Sequence, residues 1–216
     1  MNNKAILLFI FLSLLSSYTI GAQEKESKSN FTFSSNRTEA VLAKGKEHTI
    51  LQGNAVIITD TKEIRADRID IYGDDFGYAV CKGNIRVIDR ENETTLTCQS
   101  LKYDRNSETI IVEGYSEMED RKNELVTKSG YIEDKGNEKF TILQIGVRIL
   151  KVADNEEMSC RSEYAGYDRE DNLLELTGMP RVYWKGDEYA ASRIIIDLDT
   201  DEITMEGNVS GSITTE

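Results

Sequence analysis

Six glycines divide the chain into units of nearly equal length. Gly53, Gly83, Gly114, Gly146, Gly178 and Gly207 follow one another at 30, 31, 32, 32 and 29 residues. A period of this size marks a repetitive fold, in which no unit buries its apolar face alone and neighbours stack into one core. Around each glycine the side chains alternate. Ala79 and Cys81, Ile110 and Val112, Leu174 and Leu176, and Ile203 and Met205 stand four and two positions before their glycines. Ile57, Val87, Met118, Leu150 and Val182 stand four positions after theirs, and polar residues such as Lys82, Glu113, Thr177 and Glu206 lie between. This is the pattern of a β-strand with one buried and one wet face. A glycine in phase with the buried face lets such a strand bend sharply or lets another backbone come close.

A second strand recurs about fourteen residues after each glycine, at residues 64–71, 96–103 and 189–196. Its alternation slips by one after a small residue, Ala66, Cys98 or Ala191, so that Ile69 and Ile71, Leu101 and Tyr103, and Ile194 and Ile196 continue the buried side. One extra residue at a fixed place predicts a β-bulge or corner there. Residues 33–37 match the same strand, so the array starts near Asn30. Two positions break the pattern. Lys128 stands where the third repeat should have its small residue, and Arg148 falls on an inward place. Turns rich in Asp and Asn, at 73–75, 104–107, 134–137, 168–172 and 197–201, separate the strands. No amphipathic helix is predicted after the first 22 residues. The chain reads as all-β, with a dozen or more strands in one curved sheet or two facing sheets.

Residues 1–22 differ from the rest. Lys4 precedes an apolar run from Ala5 to Leu15 interrupted only by Ser13, and Ile20-Gly21-Ala22 offers small residues for cleavage. This reads as a cleaved secretory signal peptide, because the run is short for a membrane anchor. Residues 23–30 read as a flexible polar arm and 31–216 as the folded domain. The formal charge is −13, and loss of Lys4 with the leader makes it −13 − 1 = −14. An acidic chain is a poor nucleic-acid binder and a poor electrostatic match for anionic lipid. One histidine, His48, excludes His-rich metal sites and makes a Ser-His-Asp arrangement rest on a single surface-loop residue. Cys81, Cys98 and Cys160 fall on inward places and read as buried small hydrophobes rather than a disulfide framework. The acidic residues fall in turns or on outward places, so paired carboxylates for glycoside hydrolysis are not indicated. No cofactor or metal is expected.

The motifs Gly53-Asn54-Ala55-Val56, Gly83-Asn84-Ile85-Arg86-Val87 and Gly207-Asn208-Val209, with Ala66-Asp67 and Leu101-Lys102-Tyr103-Asp104 between them, resemble the OstA-like family. That family includes LptA, LptC and the periplasmic domain of LptD. The resemblance covers residues 31–213 and is nearest to the soluble LptA-like branch. The middle repeats depart from it: Gly114, Gly146 and Gly178 lack the following Asn.

The resemblance implies an antiparallel OstA-like β-jellyroll open at both ends. It further implies a non-enzymatic periplasmic carrier or bridge for lipopolysaccharide or a related glycolipid on its way to the outer membrane. Acyl chains would lie in the apolar interior against Ile57, Ile69, Ile71, Val87, Leu101, Met118, Leu150, Val182, Ile194 and Ile196. Partners would be the lipid and other OstA-like domains, joined head to tail through the edge strands at 31–41 and 202–213. Read from the residues alone, each of these side chains reads first as the filling of a closed core, and only the resemblance makes the stripe a lipid groove. With a filled core the chain is an exported β-scaffold that recruits an envelope partner.

Overall fold

The computed structural model describes residues 31–43, 45–153 and 156–214. The expected signal peptide and polar arm, residues 1–22 and 23–30, lie outside them. Eight long strands form an antiparallel meander: β3 (His48–Ile58), β4 (Lys62–Tyr72), β5 (Tyr78–Asp89), β6 (Thr94–Asp104), β7 (Thr109–Asp120), β8 (Leu125–Lys135), β9 (Phe140–Ala153) and β10 (Glu156–Asp168). Before them β1 (Thr32–Ser34) and β2 (Arg37–Val41) both pair with β3. After them β11 (Leu173–Thr177) and β12 (Arg181–Trp184) both pair with β10. The sheet ends in two arms. β11 is followed by β14 (Arg193–Asp197) and β15 (Ile203–Glu206), and β12 by β13 (Asp187–Ala190) and β16 (Ser210–Ser212). All sixteen belong to one unclosed antiparallel sheet, all-β as the alternation predicts and of the jellyroll kind that the resemblance implies. A short 3-10 turn, Asp74–Phe76, interrupts the β4–β5 connection.

Each long strand turns a corner at the glycine line. Gly53 and Asn54 of β3 stand against Asp67 alone, and Gly83 and Asn84 of β5 against Gln99 alone. Two residues against one is a β-bulge, and it bends the strand that carries it. Both members take positive φ: 71° and 49° in β3, 75° and 47° in β5. Asn tolerates that conformation better than other side chains. A Cβ on Gly83 would lie 2.4 Å from Asp67 Oδ2, so side-chain volume is excluded there as well. The extra residue thus belongs to the glycine strands. The small residues Ala66 and Cys98 lie inside the same corner, buried on the concave side.

In β9 the bulge slips by one. Ile145 and Gly146 take φ of 68° and 65° and stand against Glu163, so glycine holds the second place of the pair. Every residue beyond is shifted in phase. Val147 and Ile149 are buried, while Arg148 and Leu150 face outward. Leu150, expected on the inner face, is half-buried on the outer one, between Val126 and Ser159. The third small corner residue is Ser129, one place beyond Lys128, which also faces outward.

Candidate functional site: a closed apolar interior

The corner gives the sheet two arms, and their inner faces pack on each other. Along one arm Ile57, Ile64, Val87, Leu96 and Met118 are direct neighbours on β3 to β7. The row continues through Thr127, Ile149, Cys160 and Val182. Along the other, Leu51, Ile69, Cys81 and Leu101 run across β3 to β6, and Leu143, Ala165, Leu176 and Ile194 across β9 to β14. Nine of the ten expected lining residues stand on this face and are buried: Ile57, Ile69, Ile71, Val87, Leu101, Met118, Val182, Ile194 and Ile196. Leu150 does not. The buried side chains of the inner face form one continuous hydrophobic cluster, and at one end Phe31, Ile57, Ile71, Phe76, Ala79 and Tyr103 line a small apolar pocket between the arms.

The arms meet again opposite the corner, where the turns form two rims. Lys62, at the start of β4 on one rim, donates to Glu108 Oε2 on the other at 2.9 Å and sits 3.0 Å from Asp89. Tyr167, at the end of β10, donates to Asp120 Oδ2 at 2.8 Å and accepts from Asn123. Lys151 of β9 donates to the Leu198 carbonyl at 2.9 Å and to Asp201 at 2.6 Å. Phe31 packs edge-on against Phe76, under the guanidinium of Arg105. These links join residues 46 or 47 apart in the three polar cases. Phe31 and Lys62, and again Asp120 and Lys151, are 31 apart. The seam therefore repeats with the glycines, one latch per unit at four of the units.

Charge pairing shifts the titration of the seam groups. Burial acts to lower the pKa of Lys62, but the carboxylates of Glu108 and Asp89 outweigh it and the net shift is upward. Burial acts to raise the pKa of Asp89, and hydrogen bonding from Asn92 together with Lys62 brings it below the ordinary value. Burial and the neighbouring Asp120 push the Tyr167 phenol up, so it stays a donor. Between these latches Arg169 pairs with Asp134 and Thr141.

All three thiols are free and buried, as expected. Burial raises Cys81 to about 12, Cys98 to about 11 and Cys160 to about 12. His48 is not in a loop. It opens β3, half-buried, 3.8 Å from the Asp70 carboxylate. The seam was not foreseen, because its partners are polar residues of different turns. The one signal was their shared period.

A continuous apolar interior, glycine-asparagine corners and a thirty-residue unit coincide with a family pattern: residues 35–202 match the model of the LptA/(LptD N-terminal domain) LPS transport protein family. The chain belongs to that family. It is a family of LPS transport proteins. Among solved structures, LptH, the LptA-homologous periplasmic component of the lipopolysaccharide transport device from Pseudomonas aeruginosa, is similar at 10% identity. The match covers 86% of this chain and 96% of that one, with a TM-score of 0.30. No curated protein matches the chain.

Proposed function

We propose that this chain carries lipopolysaccharide or a related glycolipid through the periplasm, with the acyl chains held between the two arms of the sheet. The observation that carries the reading is the continuous apolar inner face closed by a separable polar seam. Each methylene moved from water to such an interior is favourable by about 0.8 kcal/mol, so a multi-chain lipid offsets the side-chain contacts it displaces. Parting the rims exposes this face without breaking a backbone ladder, since the seam consists of side chains. Family membership supplies the cargo class. Residues 1–22 act as the export signal in this reading, and residues 31–216 as one carrier domain. The exposed strands β1 and β2 at one end, and β15 and β16 at the other, join further OstA-like domains head to tail.

The mutual burial of the lining residues favours a second reading, an envelope β-scaffold with no lipid. Native mass spectrometry of the mature protein, with organic extraction of bound material, separates the two. A stoichiometric amphiphile that is lost in Met118→Asp, with the strand signature retained by circular dichroism, supports the carrier. A protein that is empty and refuses added lipopolysaccharide eliminates it.

A further inference from the structure

The outer side of the corner carries a second surface. In the first two repeats the exposed second residue of the bulge is Asn54 or Asn84. In the middle repeats large apolar side chains stand at the bulge instead: Tyr115 is 69% exposed, Ile145 65% and Met179 80%. They occupy successive bulges of the same line, opposite Gly130 and Glu163. Ile145 is β-branched with φ of +68°, a conformation that such residues avoid.

Beside them runs a cross-strand row of cations. Lys128 pairs in register with Arg148, Arg148 with Arg161, and Arg161 with Arg181. Like charges directly opposite each other destabilise a sheet. Lys128 is held by Glu117, and Arg181 by Glu188. Arg148 and Arg161 have no ionic partner among the described residues, in a chain with 39 acidic residues to 26 basic ones. These two arginines, Glu163, Met179 and Ser162 line one shallow depression of about 230 Å³. Ser162 borders it through its backbone side only: this serine pairs with buried Val147, and its own side chain is buried on the concave side of the corner, as Ser129 is. Glu163 is turned to the Gly146 amide at 3.4 Å.

Exposed apolar bulk, facing arginines and a strained isoleucine each disfavour the folded chain, and all three meet on one convex ridge. We propose that this ridge docks on an anionic phospholipid surface. A phosphate fits between Arg148 and Arg161, since guanidinium groups take phosphate oxygens in bidentate pairs. Tyr115, Ile145 and Met179 enter the interfacial zone, where apolar and aromatic side chains add to electrostatic attraction. Glu117 and Glu188 are already paired with Lys128 and Arg181, Glu163 is turned to the Gly146 amide, and acidic groups more than a Debye length away, about 8 Å at physiological salt, are screened.

The test is cosedimentation of the full mature chain with vesicles of phosphatidylglycerol and phosphatidylcholine in equal parts, and with phosphatidylcholine alone. A chain of this net charge is repelled by the anionic vesicles unless a local site binds them. The expected result is binding that requires phosphatidylglycerol. It falls roughly 20-fold when both arginines are removed in Arg148→Gln/Arg161→Gln, and it falls again in Tyr115→Ser/Met179→Ser, with thermal melts unchanged. Assaying phospholipid in the vesicle-free supernatant separates docking from uptake into the interior. Equal binding to both vesicles, or binding that ignores the arginine variants, overturns the proposal. So does loss of binding with millimolar inorganic phosphate at constant ionic strength, which would mark a soluble-phosphate site. Absence of any vesicle binding also overturns it and leaves the ridge to a protein partner with an acidic face.

Discussion

The ammonium of Lys62 lies 2.9 Å from Glu108 Oε2 and 3.0 Å from Asp89 Oδ2, with only 1% of its side chain exposed. A buried ion pair is weak evidence of net stability, but breaking it from one side leaves a charge without a partner. Lys62→Met therefore lowers the unfolding free energy by about 3–5 kcal/mol. The triple variant Lys62→Met/Asp89→Asn/Glu108→Gln recovers most of the loss, because no buried charge remains. Urea unfolding of both measures this. A loss under about 1 kcal/mol in the single variant would mean that the latch carries no load.

Two groups of that latch set a pH window. The raised pKa of Lys62 gives stability that is complete below the ordinary lysine value and is lost as pH rises through the higher folded value. The lowered pKa of Asp89 gives stability present above the ordinary aspartate value and lost as pH falls through the lower folded one. The urea midpoint is expected to stay level between about pH 5 and 9, and to fall below about pH 4 and above about pH 10.5. The triple variant loses part of both falls. A midpoint that changes steadily across the neutral range contradicts this assignment.

Burial that lifts Cys81 and Cys160 to about 12 keeps both thiols protonated and shielded at pH 8, and the thiolate is the reactive form. Native protein is expected to resist an aromatic disulfide reagent and to yield three thiols in denaturant. Lys62→Met and Tyr167→Phe open the seam and speed labelling in native buffer. Rates equal to wild type would show that the thiols are reached by some route other than the rims.

The repeat, the strands and nine of ten inner-face residues were legible because a period of two within a period of thirty survives in the sequence. Leu150 was not, because the glycine alone does not say which half of the bulge it occupies. In β3 and β5 it comes first, before Asn. In β9 it comes second, after Ile145. Two anomalies carried the information: Lys128 at a small-residue place and Arg148 at an inward one. A shift of one residue puts Ser129 and Val147 there instead and moves both charges outside. The seam and the ridge were illegible for another reason. Both depend on contacts between residues that alternation treats as solvent-facing and therefore leaves unassigned.

The corner glycines differ in what they forbid, and stability should report it. At Gly146, φ is +65° and an added Cβ meets nothing within 4 Å, so Gly146→Ala carries only the conformational term, about 1–2 kcal/mol. At Gly83, φ is +75° and the added Cβ would meet Asp67 Oδ2 at 2.4 Å. Asp67 cannot easily yield, because Asn84 of the same bulge donates to that oxygen at 2.8 Å. Gly83→Ala is therefore expected to cost roughly twice as much as Gly146→Ala. Ile145 is the converse case: a branched side chain held at φ of +68° and mostly in solvent. Ile145→Gly removes that strain with little loss of burial and raises stability by about 1 kcal/mol. Thermal or urea unfolding of the three variants checks the order. Equal losses in Gly83→Ala and Gly146→Ala would mean that Asp67 moves aside. A loss in Ile145→Gly would mean that the isoleucine is held by contacts on the ridge rather than tolerated there.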